Sequence, residues 1–400
     1  MFNLCLYLHS HFFQDSVLKS VARDWSREGR EERSVAYDRL IRALEQYVPR
    51  DRRRGAPCRE GDDAVADDDA RDGVEAASDE TLRPPPRVAV PGSGLGRLGW
   101  EIYARGYSVE GSDFSLPMLL ASDFVLNGCG GGGGGPEEDA ADAGARDDGA
   151  GAGAGAGGSW RRFGISPWLA ETKNVSSFAD RTRVVIVPDV DPGSLRHLSH
   201  DHDDVSAAPE FTMMAGEFLS LYSHFLPRTL PQDSPRGPRA ASARAGRKFH
   251  AVVCSFFLDT APSVPHYLHT LYHMLAPGGR LLVFGPLMYH WSGHGHLLPG
   301  DLARDGVRDA AAARSGGDDE EAGQRADRGG AYERRTAHLD DRYLSSLDYT
   351  WEEVRHMVQQ SGFDIEEEET HIPARYTADA TSMMKVNYDC VFMVARKRSS

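Results

Sequence analysis

Apolar residues recur at helical spacing in the first fifty positions: Val17, Leu18, Val21, Ala22 and Trp25, then Tyr37, Leu40, Ile41 and Leu44. Residues three and four apart share one face of an α-helix, so both sets predict helices packed on a core. From Val88 the pattern changes. A short apolar run, Val88 to Val90, meets Gly92, Gly94 and Gly96, and helical spacing resumes through Trp100, Ile102 and Tyr103. A second apolar-to-acidic segment runs from Tyr107 to Asp113. Phe249 to Asp259 reads as a strand buried on both faces and ending in a carboxylate. Tyr267, Leu268, Leu271, Tyr272 and Leu275 return to helical spacing, and Leu275 to Phe284 passes through Pro277-Gly278-Gly279 into another apolar strand. Strands alternating with helices predict an α/β fold with a mostly parallel sheet and helices on both faces.

The glycine turn carries the first chemistry. Glycines between a strand and a helix let the backbone approach a ligand and leave N–H groups free at the helix N-terminus. Asp113 follows the first glycine by about 20 residues, where a carboxylate at the end of the second strand grips ribose hydroxyls. An adenosine-type cofactor is therefore expected. Gly94, Gly96 and Gly99 satisfy the G-x-G-x-x-G of a nicotinamide site, whereas Gly92, Gly94 and Gly96 satisfy the G-x-G-x-G of S-adenosylmethionine-dependent methyltransferases. The second register puts its first glycine directly after the strand. The helix, Pro-Gly-Gly and strand at 267–284 also favour a class I methyltransferase over a dehydrogenase.

Composition narrows the partners. The formal charge of −15 argues against nucleic acid or an anionic membrane as a partner. Five scattered cysteines, Cys5, Cys58, Cys129, Cys254 and Cys390, contain no C-x-x-C pair and fit a reduced intracellular protein. No stretch is apolar for long enough to span a membrane, and Met1 to Leu8 lacks the basic start and cleavage site of a signal peptide. Asp51 to Pro86 reads as a disordered acidic linker. Gly128 to Gly158, Pro227 to Lys248 and Leu298 to Glu333 read as low-complexity insertions at the surface. The expected organisation is a helical cap over residues 1–50, the linker over 51–86, and one domain over 87–400 interrupted at 128–158, 227–248 and 298–333.

Several blocks resemble the carnosine N-methyltransferase (N2227-like) family. They are RDWSREGREER from Arg23, VPGSGLGRLGWEIYARGYSVEGSDFS from Val90, MLLASDFVLN from Met118 and VPDVDP from Val187. MMAGEF from Met213, FFLDTA from Phe256, LAPGGRLLVFGPLMYH from Leu275 and RYTADATSMMKVNYDCVFMVARK from Arg375 follow in the same order. The resemblance implies a class I methyltransferase fold and S-adenosylmethionine as cofactor. It also implies methylation of an imidazole in a histidine-containing dipeptide, of the kind that converts carnosine to anserine. For the cofactor it implies Arg23, Gly92, Gly94, Gly96, Asp113, Glu217 and Ser255, with Arg23 pairing the methionine carboxylate. For catalysis and substrate it implies Asp259 and His290, with Tyr376 and Tyr388 lining the substrate pocket. Ser20 stands where the family carries a glutamine, and Val386 where animal members carry a tyrosine. A homodimer and a cytoplasmic or nuclear location complete the expectation.

Methyl transfer to an imidazole needs the acceptor nitrogen unprotonated and held about 3 Å from the methyl carbon. A carboxylate on the other ring N–H fixes that tautomer and balances the cation that forms. Asp259 is the candidate. No metal is required. His197, His200 and His202, and His290, His294 and His296, lack a closed ligand set. Protein-histidine methylation and a cofactor-binding scaffold without turnover stay open as alternatives.

Overall fold

The computed structural model describes residues 17–50, 84–130, 160–199, 208–227, 248–290, 347–376 and 379–399. Most of the linker and the three insertions read from the sequence lie outside them, as do Cys5, Cys58, His200, His202, His294 and His296.

The predicted N-terminal helices are α1 (17–25) and α2 (Arg30–Tyr47). They are followed by β1 (Arg87–Pro91), α3 (Arg97–Ala104), β2 (Ser108–Asp113) and α4 (Leu116–Asp123). A short antiparallel pair, β3 (Phe163–Ile165) and β4 (Val185–Val187), brackets α5 (Phe178–Thr182). Then come β5 (Phe211–Ala215), α6 (Phe218–Tyr222), β6 (Phe249–Ser255), α7 (Val264–Met274) and β7 (Leu275–Gly285). α8 (Trp351–Gln360), β8 (Phe363–Ala374) and β9 (Tyr388–Lys397) close the described chain. Thr350 starts α8 with reciprocal side-chain caps: its hydroxyl takes the Glu353 N–H at 3.3 Å, and Glu353 takes the Thr350 N–H at 2.8 Å.

The main sheet has seven strands in the order β5-β2-β1-β6-β7-β9-β8. The first five run parallel, while β9 is antiparallel to both β7 and β8. A dinucleotide-binding sheet is parallel to its last strand. The reversed strand slotted between β7 and β8 is instead the arrangement of a class I methyltransferase, which resolves the two glycine registers in favour of Gly92-Gly94-Gly96.

Successive residues of the central strands feed opposite cores, as a period of two demands. In β6, Val252 and Cys254 join one cluster with α7 and α8, while Ala251 and Val253 join the other with α2 and α3. Leu281 and Val283 of β7 divide in the same way from Leu282 and Phe284. A third cluster ties Trp25 of α1 to Leu95, Trp168, Val185 and Val187, and so fastens the N-terminal helix over the end of β1.

Two sequence-level boundaries move. β7 begins at Leu275, opposite Phe249, and a register shift accommodates Pro277-Gly278-Gly279 within the strand; no turn separates it from α7. β6 ends at Ser255 because Phe256 adopts a left-handed backbone, φ 51°. Asp259 is therefore not at a strand end but in a 3₁₀ turn, Leu258–Thr260. His290 likewise lies beyond the end of β7 at Gly285.

Candidate functional site

The strand order reverses between β1 and β6, and an open α/β sheet binds ligands in the crevice at the carboxyl ends of the strands there. A cavity of about 310 Å³ occupies that position. Its wall includes Gly92, Gly94 and Asp113 from the β1 and β2 ends, and Glu217, Ser255, Thr260 and His290 from the segments after β5, β6 and β7. Arg23 of α1 and Tyr376 after β8 complete it.

The glycine turn and the acid are joined directly. Gly94 N–H donates to Asp113 Oδ2 at 2.9 Å, and Ser115 N–H donates to Oδ1 at 2.8 Å. Burial raises the Asp113 carboxyl above its usual range, against these amide hydrogen bonds. Gly92 and Gly94 have φ of 65° and 53°. A Cβ at Gly92 would stand 2.6 Å from the Phe257 ring, whereas one at Gly94 would meet nothing within 4 Å. The space over Gly94 is therefore open for a ligand to approach the backbone. Gly96 is not on the wall: its Cβ position faces Leu126, Ser122 and Met213, so it serves the packing of the turn.

Arg23 reaches the cavity from the opposite side. Its Nε and Nη2 donate to the two oxygens of Asp24, at 2.6 and 2.9 Å. Nη1 is buried with no hydrogen-bond partner. The Arg23 Cζ lies 4.2 Å from the Tyr376 ring centroid, and that ring packs at a tilt of 39° on Phe256, centroids 4.7 Å apart. Arg23 stays charged, since Asp24 and Tyr376 outweigh the burial that would lower its pKa. A buried guanidinium with one nitrogen unfilled is suited to an incoming carboxylate.

Other expected residues have different duties. Glu217 lines the cavity, but its carboxylate caps α6, taking the N–H groups of Leu219 and Ser220 at 3.0 and 2.8 Å. Asp259 is 3% exposed and lies behind the wall, next to Thr260, which is on it. Its Oδ2 accepts the Met288 N–H and its carbonyl accepts the His290 N–H, both at 3.1 Å. Burial raises the Asp259 carboxyl, while the Met288 amide and the charge of His290 pull it down. Tyr388 is half-buried against the cluster beneath α2 and is absent from the wall. Val386 is exposed.

Asp189, from the VPDVDP block, had no role assigned from the sequence. It accepts Arg33 Nη2 at 2.6 Å and Arg97 Nη1 at 2.5 Å, and its N–H donates to the Trp25 carbonyl at 2.8 Å. Arg33 in turn donates to the carbonyls of Arg23 and Ser26, at 3.0 and 2.6 Å. This buried knot holds α1, α2 and α3 in register and so fixes Arg23 over the cavity. The acid-rich spacing of VPDVDP was the only signal for it. Phe256 also went unassigned, and its left-handed backbone is invisible in sequence. Among the described residues, no group of three or more His, Cys, Asp or Glu could hold a metal, and no helix is long and apolar enough to cross a membrane.

The model of a family described as carnosine N-methyltransferase matches residues 74–131 and 158–399. Among curated relatives, the carnosine N-methyltransferase of Mus musculus is 25% identical over 382 residues, covering 96% of this chain and 62% of that protein. Carnosine N-methyltransferase unmet of Drosophila melanogaster is 26% identical, covering 96% and 54%. The carnosine N-methyltransferase of Schizosaccharomyces pombe is 28% identical, covering 70% and 53%. The chain thus spans 53–62% of the length of these relatives. Among solved structures, a magnesium protoporphyrin IX methyltransferase from Synechocystis aligns at a TM-score of 0.32 and 10% identity, covering 93% of this chain and 88% of that one. A SAM-dependent methyltransferase from Methanosarcina mazei aligns at 0.32 and 12%, covering 80% and 95%.

Proposed function

This chain belongs to the carnosine N-methyltransferase family, and we propose from that premise that it methylates an imidazole nitrogen of a histidine-containing dipeptide, with S-adenosylmethionine as methyl donor. The observation that carries the reading is the convergence of three features on one cavity. They are the open backbone of Gly94, the half-buried Asp113 carboxylate and the unfilled Nη1 of Arg23. The residues present fit the cofactor. Asp113 would accept the ribose hydroxyls, the Gly92–Gly94 backbone would lie against the nucleoside, and Arg23 Nη1 would take the amino-acid carboxylate. When bound, the cofactor supplies an electrophilic methyl group on a sulfonium.

The acceptor side is the wall formed by Thr260, His290 and Tyr376. Asp259 lies directly behind Thr260, and His290 perturbs its charge. An imidazole on this wall becomes a cation as it is methylated, and a buried carboxylate close by stabilises that charge more strongly than water could. The raised Asp259 carboxyl is drawn into its ionised form by a neighbouring cation, which makes the stabilisation mutual.

The test is methyl-labelled S-adenosylmethionine with a panel of imidazole acceptors: carnosine, other histidine dipeptides and histidine-containing proteins. Label on a ring nitrogen of the dipeptides supports the reading. Cofactor binding without label in any dipeptide would overturn it, and label confined to proteins would redirect it to protein-histidine methylation.

A further inference from the structure

Beside the first cavity lies a second, of about 370 Å³. The two share Arg23, Glu32 and Arg375 in their walls, so they adjoin along the line between α1 and the end of β8. None of the glycine-turn residues, nor Asp113, borders the second cavity. It therefore extends away from the cofactor side.

Its remaining wall is rich in donors: Lys19, Trp168, Arg183 and Asn387. The indole Nε1 of Trp168, in a residue 6% exposed, is buried without a partner. Three of the four cations on the wall are matched by acids. Arg23 pairs with Asp24 at 2.6 Å, Lys19 pairs with Glu171, and Arg183 pairs with Asp379 at 2.9 Å. Arg375 is the exception among the described residues: it makes no ion pair or hydrogen bond with any of them. It also stands on both cavities, immediately before Tyr376. Glu28 and Glu31 border the second cavity as well, so its wall offers both signs of charge.

We propose that the second cavity holds the charged main-chain end of the acceptor peptide, and that Arg375 pairs with its carboxylate. The inference rests on the proposed function and names the part of the acceptor that this reading leaves unplaced. A histidine dipeptide whose ring lies at Thr260 and His290 carries its carboxylate several bonds away. Arg375 is exposed, so the pair forms while the carboxylate is still partly in water. A guanidinium offers two parallel N–H groups to it, and Arg375 is the cation bordering both cavities that no described acid occupies. The acids on the same wall keep the cavity from being a general anion trap and suit it to a zwitterion.

The experiment is steady-state kinetics of the wild type, Arg375→Ala and Arg375→Lys with carnosine and with its C-terminal amide, alongside calorimetry with S-adenosylhomocysteine. Because Arg375 is exposed, the expected result is a rise in KM for carnosine of about two- to fivefold in Arg375→Ala, with kcat nearly unchanged. The amide should react with wild type and variant alike, Arg375→Lys should recover part of the loss, and S-adenosylhomocysteine affinity should not move. An unchanged KM for carnosine would overturn the assignment, as would an equal loss for the amide. A loss of S-adenosylhomocysteine affinity would overturn it too, by giving Arg375 to the cofactor. Wild type that binds S-adenosylhomocysteine yet methylates neither acceptor would overturn the proposed function itself, an outcome distinct from active wild type indifferent to Arg375.

Discussion

The guanidinium of Arg23 lies over the ring of Tyr376, its Cζ 4.2 Å from the ring centroid. One residue belongs to the first described helix and the other follows β8, so this contact closes the cavity across almost the whole chain. A cation over an aromatic face is worth about 0.5–2 kcal/mol, and a charge-assisted hydrogen bond about 1.5–3 kcal/mol. Tyr376→Leu should therefore weaken S-adenosylhomocysteine binding about 2- to 30-fold, and Arg23→Lys about 10- to 150-fold. Calorimetry on the two variants reads both numbers. Equal affinities in wild type and Arg23→Lys would remove Arg23 from carboxylate recognition.

Asp113 serves both the turn and the ligand. Its two oxygens hold the amides of Gly94 and Ser115. Asp113→Ala should cost about 1.5–3 kcal/mol of cofactor affinity and lower the melting temperature as well, since two half-buried amides lose their acceptor. Gly94→Ala separates these effects. The added methyl meets no protein atom, so it costs only the left-handed backbone, about 1–2 kcal/mol, yet it stands in the open space of the cavity. Cofactor affinity that survives Gly94→Ala would mean that the ligand does not approach this backbone.

Asp259→Asn should preserve cofactor binding and lower turnover by about a hundredfold or more. An amide still accepts the Met288 N–H, so the turn keeps its bond. It carries no charge to balance the forming imidazolium. If Asp259 only secured the segment carrying His290, Asn would serve nearly as well, and kcat measured with an active dipeptide would match wild type.

Lys397 is an internal probe of the fold. Its ammonium donates to the carbonyls of Tyr272 and Leu275, at 2.7 and 2.9 Å, and burial lowers its pKa from 10.5 to about 8. Between pH 8 and 10.5 the unfolded chain binds this proton and the folded chain does not. The unfolding free energy contributed by this group therefore rises with pH across that window. Denaturant melts from pH 7.5 to 11 should show the rise in wild type and a flatter profile in Lys397→Met. Identical profiles would place the titration elsewhere.

Local chemistry is what made much of this legible in the chain itself. The glycine turn, the spacing to Asp113 and the two-residue alternation of β6 and β7 each depend on neighbours within one βαβ unit. Backbone sterics and side-chain parity act over that range without reference to the rest of the chain. Gly92, Gly94 and Asp113 were accordingly singled out before any coordinates and do line the cavity, as do His290 and Tyr376. The placement of Asp259 and Tyr388 was not legible in the same way. Asp259 read as a strand terminus, yet the left-handed Phe256 ends the strand early and turns the carboxylate behind the wall. Tyr388 read as a pocket residue, yet the pairing of β9 between β7 and β8 sends it toward the cluster beneath α2. The knot at Asp189 joins Arg33 and Arg97, which are 156 and 92 residues away in sequence. Arg375 is distinctive only because the acids that neutralise its neighbours fold beside them and not beside it. Burial and charge pairing are properties of which distant segments meet, so the sequence determined the turn, the strands and their faces, while the tertiary structure decided which charges were left free to bind.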